Sequence, residues 1–238
     1  MKTAAIIPAG GSGRRMQSSL SKQYLLLNGI PVLVHTLKVF QYSPWVHDIF
    51  LVVPPGDIEF VNQTIVRKHG ILKVRQVLPG GRERQDSVKN GLDVVGDEYD
   101  VVVIHDGVRP CISDDLLHFV IHEARRQGAV TLGIPVKDTV KVVDPDGTIQ
   151  ETVDRDRLWL TQTPQAFKRD VIKKAYHLAC QDHFSGTDDA GLVERAGIHV
   201  KMIPGSYKNI KITTKDDLLM AEEFMQNGII KHEDDRKV

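Results

Sequence analysis

Thr3-Ala4-Ala5-Ile6-Ile7-Pro8-Ala9-Gly10-Gly11-Ser12-Gly13-Arg14-Arg15-Met16 joins a short, mostly apolar run to a glycine cluster with two arginines directly behind it. The run, residues 3–7, has strand character, and Pro8 and the glycines end it. Glycines let backbone amides approach an anion closely and adopt conformations that other residues resist. A strand that opens into such a loop predicts a ligand at the carboxyl edge of a sheet.

The pattern repeats in kind along the chain, without any internal sequence repeat. Short β-branched or apolar runs occupy residues 48–53, 72–78, 100–105 and 129–135. Between them, residues 31–42, 57–69, 83–95 and 113–127 are amphipathic at helical period. Leu116, Leu117, Val120, Ile121 and Ala124 give a clear stripe, and Ser113 before Asp114 and Asp115 is a good helix start. Strand and helix alternating on this scale predict an α/β fold, a Rossmann-like, mostly parallel sheet with helices on both faces. Helical stretches at 168–182 and 188–196, a strand at 199–203 and a last helix from Lys215 complete it.

One segment breaks the alternation. Residues 136–143 and 148–153 are β-type runs around Asp144-Pro145-Asp146-Gly147, a turn in which Pro fixes φ and Gly permits a positive one. Lys137, Asp138, Lys141, Glu151, Asp154 and Arg155 make this hairpin too polar for the main sheet. The expectation is an arm over residues 136–157, covered by a second subunit. Residues 1–230 read as one domain and 231–238 as a charged tail.

Composition narrows the class. The 238 residues are 41% hydrophobic and 26% charged, enough for a sizeable core. Lys+Arg and Asp+Glu both number 31, so no basic excess exists to coat nucleic acid or a membrane surface. Pro8 within the first apolar run makes a poor signal peptide, and two cysteines are too few for a disulfide framework, so a cytoplasmic protein is expected. The charge is unevenly placed, however. Lys2, Arg14, Arg15, Lys22 and Lys38 precede the first acid, Asp48, although an even spread would put about six acids in that stretch.

The loop itself separates the phosphate-binding classes. The G-x-x-x-x-G-K-[ST] pattern is absent. A G-x-G-x-x-G fingerprint fits Gly11 and Gly13 but puts Met16 at its third glycine, and the ribose-binding acid expected some 20 residues later is missing. Arginines at 14 and 15 and a lysine at 22 suit a triphosphate being cleaved, where charge grows on bridging and leaving oxygens.

Residues 8–16 with Lys22-Gln23-Tyr24 resemble the signature loop of sugar-nucleotide pyrophosphorylases. Six further blocks narrow the resemblance to the 2-C-methyl-D-erythritol 4-phosphate cytidylyltransferase family of the non-mevalonate isoprenoid pathway. They are Gly80-Gly81-Arg82-Glu83-Arg84-Gln85-Asp86-Ser87-Val88, His105-Asp106-Gly107-Val108-Arg109-Pro110, residues 136–141 with 152–155, residues 162–167, Thr187-Asp188-Asp189-Ala190, and Asn209-Ile210-Lys211-Ile212-Thr213. The resemblance runs from residue 3 to about residue 227.

It implies transfer of CMP from CTP to a phosphorylated polyol, with release of pyrophosphate and with Mg²⁺ held mainly through the triphosphate. It assigns Arg15 and Lys22 to catalysis and Ala9, Gly10, Gly11, Gly13, Gly81 and Ser87 to the nucleotide. Arg155, Lys211, Asp106, Arg109, Thr139, Thr163 and Thr187 would position the second substrate. It implies no protein-built metal site, and it implies a homodimer in which the arm carries Arg155 and Thr139 to the neighbouring site. His105 reads as structural. A ribitol-5-phosphate cytidylyltransferase shares the glycine loop, the H-D-x-x-R-P block and the arm, so it stays open as an alternative. Thr152-Val153-Asp154-Arg155 and Lys211 favour the isoprenoid enzyme. A nicotinamide-dependent oxidoreductase and a non-catalytic nucleotide sensor fit less well.

Overall fold

The first strand, Lys2–Pro8 (β1), buries both of its faces, with Ala5 and Ile7 packed into one hydrophobic cluster and Ala4 and Ile6 into another. A strand apolar on both sides needs a layer of helices on each. The computed structural model describes residues 1–10 and 21–226. Gly11, Gly13 and Arg15, together with the tail 231–238, lie outside the described residues.

After Leu26–Leu27 (β2) and Ile30–Pro31 (β3), which form a small hairpin, the chain enters Val32–Tyr42 (α1) and Asp48–Val53 (β4). Ile58–Val61 (α2) continues into a π-helical segment at Asn62–Arg67 and leads to Val74–Pro79 (β5). Arg84–Val94 (α3), Tyr99–Ile104 (β6), Asp114–Gln127 (α4) and Ala129–Pro135 (β7) follow. Next come Val140–Val143 (β8) and Ile149–Val153 (β9), then Trp159–Lys168 (β10) and Arg169–Gln181 (α5). Asp189–Arg195 (α6), Lys201–Pro204 (β11) and Lys215–Gln226 (α7) close the described chain.

The main sheet has the order β11-β7-β10-β6-β1-β4-β5. Every pairing is parallel except the two made by β10, so the expected mostly parallel sheet is found. On one face Leu33, Leu37 and Phe40 of α1 and Leu117, Val120 and Ile121 of α4 share a hydrophobic cluster with Ile49 and Leu51 of β4. On the other, Val88 and Leu92 of α3 and Ile172 and Ala175 of α5 share a second cluster with Phe50 and Val52. Ser113 caps α4, its Oγ accepting from the Leu116 amide, as the sequence predicts.

From β1 the chain winds outward to β4 and β5, then returns to place β6 on the other side of β1. That reversal opens a crevice at the carboxyl ends of β1 and β6, the position at which open α/β sheets bind ligands.

Two elements differ from the sequence reading. The helix expected over 57–69 is split between α2 and the π-helical segment. More important, β10 is a ten-residue antiparallel strand between β6 and β7, in a stretch where no strand was expected. Its centre is Gln162-Thr163-Pro164-Gln165, polar residues and a proline that imitate a loop in sequence. The register against β7 shifts between Gln162 and Gln165, where the Thr163–Pro164 peptide is cis.

β8 and β9 form a two-stranded sheet of their own, and most of their residues are exposed. The turn between them closes through the Gly147 amide donating to the Asp144 carbonyl at 2.9 Å, with Gly147 at φ +88°.

The closeness of α3 to β1 gives a stability test. A Cβ built on Gly91 would lie 2.7 Å from Cγ2 of Ile6, a branched and fully buried side chain that cannot swing away. Alanine normally favours a helix over glycine by up to about 1 kcal/mol. Gly91→Ala is nevertheless expected to destabilise by about 1–3 kcal/mol, the range for overpacking a core. Urea unfolding of the two proteins measures the difference.

Candidate active site

A turn locked by hydrogen bonds forms one wall of the crevice. The Glu83 amide donates to Asp86 Oδ2 at 3.1 Å, one half of a reciprocal capping box that starts α3. The Gly81 amide donates to Ser87 Oγ at 3.1 Å, and the Ser87 hydroxyl donates to the Glu83 carbonyl at 3.1 Å. A side chain on Gly81 would meet Asp86 Cβ at 2.1 Å, so only glycine fits this turn. On the facing wall β1 runs on into Ala9 and Gly10. The Ala9 amide donates to the Val52 carbonyl at 2.7 Å, which ties this end of β1 to β4.

Between the walls lies a cavity of about 460 Å³, lined by Pro8, Ala9, Gly10, Lys22, Gly81, Ser87, Asp106, Val108 and Lys211 together with residues 82–84. A second cavity of about 280 Å³ adjoins it, lined by Arg109, Thr163, Thr187, Gln162, Gln165 and Asp188 among others. Arg84, Asp106 and Lys211 line both. They form the partition.

The partition is an ion cluster centred on one carboxylate. Asp106 Oδ1 accepts from Arg84 Nε at 3.0 Å, and Oδ2 lies 2.8 Å from Lys211 Nζ and 3.8 Å from Arg109 Nε. Burial opposes ionisation of Asp106, but Arg84, Lys211 and Arg109 outweigh it and hold the carboxyl well below the usual carboxylate range. Its contribution to stability is therefore present above an ordinary carboxylate pKa of about 3.9 and is lost only as pH falls through the lower folded value. The charge of this centre does not change anywhere near neutrality.

Further polar groups fix the cluster from behind. The Asp106 amide donates to Thr163 Oγ1 at 3.0 Å. Arg109 Nη1 donates to the Asn209 carbonyl at 2.7 Å, and Asn209 Nδ2 donates to the Thr163 carbonyl at 2.8 Å. Lys211 thus follows a residue, Asn209, that is fully buried and bonded to β10.

Most of the residues expected at the site are brought together. Ala9, Gly10, Lys22, Gly81 and Ser87 line the first cavity, Arg109, Thr163 and Thr187 the second, and Asp106 and Lys211 both. Thr139 and Arg155 line neither. They are exposed at the base of the β8–β9 hairpin, where Arg155 Nη1 donates to the Lys137 carbonyl. Sequence reasoning missed Arg84, Gln162, Gln165, Asp189 and Asn209. All five belong to the quoted sequence blocks, but only Gln162 adjoins a residue that had been assigned a role, and nothing local marks the other four.

This geometry agrees with what the chain is similar to. A sequence model of the family described as "IspD: 2-C-methyl-D-erythritol 4-phosphate cytidylyltransferase" matches residues 3–227. The chain belongs to that family. It is 56% identical over 225 residues to the 2-C-methyl-D-erythritol 4-phosphate cytidylyltransferase of Syntrophus aciditrophicus (strain SB), covering 94% of this chain and 96% of that one. The enzyme of the same name from Geobacter metallireducens is 49% identical, with 96% and 100% covered. The crystal structure of 4-diphosphocytidyl-2C-methyl-D-erythritol synthase from Anaerococcus prevotii superposes with a TM-score of 0.82 at 34% identity, covering 94% and 96% of the two chains. Family membership makes the chain a nucleotidyltransferase of isoprenoid biosynthesis.

His105, next to the cluster, is structural, as the sequence reading has it. It is fully buried, its Nε2 lies 3.1 Å from the Arg109 carbonyl, and its ring packs on Phe40 with centroids 5.2 Å apart. Burial pushes its pKa down to about 4. A histidine kept neutral in this way contributes stability that is complete above the unfolded pKa of about 6.5 and is lost as pH falls toward the folded value. The stability gap between the wild type and His105→Gln should therefore narrow by about 3 kcal/mol between pH 7 and pH 4. Urea midpoints at several pH values measure it.

Proposed function

We propose that the two cavities hold CTP and 2-C-methyl-D-erythritol 4-phosphate on either side of Asp106, and that CMP passes between them. The observation that carries this reading is the shared cationic partition. One pocket walled by a glycine turn and a second pocket lined by hydroxyls meet at Arg84, Lys211 and the Asp106 carboxylate between them.

The reaction needs no covalent enzyme intermediate. A phosphate oxygen of the polyol phosphate, already anionic, attacks the α-phosphorus of CTP. The bond from that phosphorus to the α–β bridging oxygen breaks, and pyrophosphate leaves with the electron pair. Catalysis is then positioning and charge neutralisation. Lys22 lines the first cavity, which supports its role as the cation that meets charge growing on the bridging oxygen. The family resemblance assigns Arg15, outside the described residues, the same work. Gly81 and Ser87 line this cavity, which supports the place beside the pyrimidine that the resemblance gives them. Arg109, Thr163 and Thr187 line the second cavity and suit a phosphate and a polyol, with Lys211 reaching both substrates.

Mg²⁺ enters with the triphosphate as part of the nucleotide substrate. Among the described residues no group of three or more His, Cys, Asp or Glu side chains could hold a metal ion. The carboxylate that lines both cavities, Asp106, already accepts from Arg84 and Lys211, so this donor set fits an ion carried on phosphate oxygens. Two unpaired cysteines fit a cytoplasmic setting, and no helix among the described residues is long and apolar enough to cross a membrane.

Incubating the protein with Mg²⁺ and CTP and measuring pyrophosphate release tests the reading. Methylerythritol 4-phosphate should support turnover and ribitol 5-phosphate should not; the reverse result would move the protein to the ribitol reading. Lys22→Ala should lower kcat by roughly 10²–10³-fold, the scale of losing one preorganised donor.

The same proposal makes the site a property of a homodimer. Thr139 and Arg155 lie outside the cavities of their own chain, and Val142, Val143, Ile149 and Leu160 on and beside the hairpin are exposed apolar side chains. Both features are accounted for if the arm packs on a partner and completes its second cavity. Arg155→Ala and Lys22→Ala chains should then each be nearly inactive alone. In a mixed dimer one site carries both defects and the other neither. Equal random mixing makes half the dimers mixed, so about a quarter of wild-type activity should return. No recovery, with subunit exchange confirmed separately, would assign Arg155 to its own chain.

A further inference from the structure

Three consecutive residues at the start of α3 all bond to one segment on the far side of the second cavity. Glu83 Oε2 accepts from the Ser185 hydroxyl at 2.7 Å. Arg84 Nη2 donates to Asp189 Oδ2 at 2.8 Å. Gln85 Nε2 donates to the Phe184 carbonyl at 3.0 Å, while its Oε1 accepts from the Gly186 amide at 2.9 Å. The segment held this way, residues 184–189, carries Thr187 into the second cavity. Residues 80–87, which hold the other side of the clasp, form the turn that floors the first cavity.

Arg84 is the part of this clasp that reaches the reacting centre. Its Nε holds Asp106 and its Nη2 holds Asp189, two carboxylates on different elements. Asp189 is fully buried, and its other oxygen accepts from the Tyr176 hydroxyl of α5 at 2.5 Å. One planar guanidinium thus joins an acid anchored in the core to the acid that orients Lys211. An ammonium is a single point charge and spans only one of the two.

We infer that the Arg84 clasp, residues 83–85 against residues 184–189, is a positioning device that sets the polyol phosphate subsite from the nucleotide turn, with Arg84 and Gln85 as positioning residues. This inference rests on the assignment of the two cavities to CTP and polyol phosphate. The clasp fixes where Thr187 and Lys211 stand relative to the α-phosphorus. Loosening it misplaces the second substrate while the base turn, closed by its own capping box, stays intact.

The test compares Arg84→Lys and Gln85→Ala with the wild type, using the polyol phosphate that the wild type turns over. Each variant should raise KM for that polyol phosphate about tenfold or more and lower kcat, and in Gln85→Ala, whose side chain lines neither cavity, the Kd for CTP measured calorimetrically in its absence should stay within about twofold of wild type. Tyr176→Phe, which cuts the anchor of Asp189 far from either ligand, should shift the same KM in the same direction. In Gln85→Ala, equal losses toward both ligands or an unchanged KM for the polyol phosphate would overturn the inference. Arg84→Lys alone failing to fold would leave Gln85→Ala and Tyr176→Phe to decide it. A wild type inactive with every polyol phosphate would instead overturn the assignment of the cavities, and calorimetry of inorganic phosphate against CTP-loaded protein would then read the clasp, with weaker binding in Gln85→Ala expected.

Discussion

Three cations stand within hydrogen-bonding or ion-pairing reach of one carboxylate, Asp106, and the site is organised by that fact. Two unit charges about 4 Å apart repel by about 4 kcal/mol at an effective dielectric of 20. Arg84, Arg109 and Lys211 would drive one another apart without a shared anion. The carboxylate therefore sets the spacing of the cations as well as compensating their charge. It is itself fixed from the backbone side, where its amide donates to Thr163.

The topology explains why the cluster forms where it does. Asp106 follows β6 and Ala9 follows β1, neighbouring strands at the point where the strand order reverses, so both chain ends enter the same crevice. β10 then brings a second set of polar groups to the same edge from the opposite chain direction. Gln162, Thr163 and Gln165 are buried in a strand, a costly arrangement unless each is paired. They are paired. Gln162 Nε2 donates to the Ser206 carbonyl, Gln165 Nε2 donates to Asp188, and Thr163 joins Asp106 and Asn209. The polar strand holds the loop that carries Lys211 and the helix start that carries Asp189.

Where hydrophobic periodicity decides structure, the sequence was readable. β4 and β7 lie at the residues their apolar runs mark, and α4 begins at the serine expected to cap it. β10 was hidden for a physical reason. Periodicity reports burial of apolar side chains, and this strand is buried through hydrogen bonds instead. The site shows the same division. Lys22 could be named from charge beside the glycine loop and Lys211 from the family resemblance, and both line the first cavity. Arg84 matters through partners 22 and 105 residues away, Asp106 and Asp189, and no local pattern announces such a pairing.

Exposure differs across the cluster in a way that bears on how anions would enter. The Arg84 and Arg109 side chains are 28% and 11% exposed, while Lys211 is 38% exposed and pairs with the same oxygen that faces Arg109. Of the three cations the lysine has the least packing to give up and a single flexible ammonium to turn. Under the proposed function, an arriving phosphate would therefore compete with Asp106 for Lys211 more readily than for the arginines, and the carboxylate would serve as a placeholder for substrate phosphate that keeps Lys211 near its working position. Little of the surrounding structure has to reorganise, which is the condition under which fixed charges stabilise a transition state most effectively.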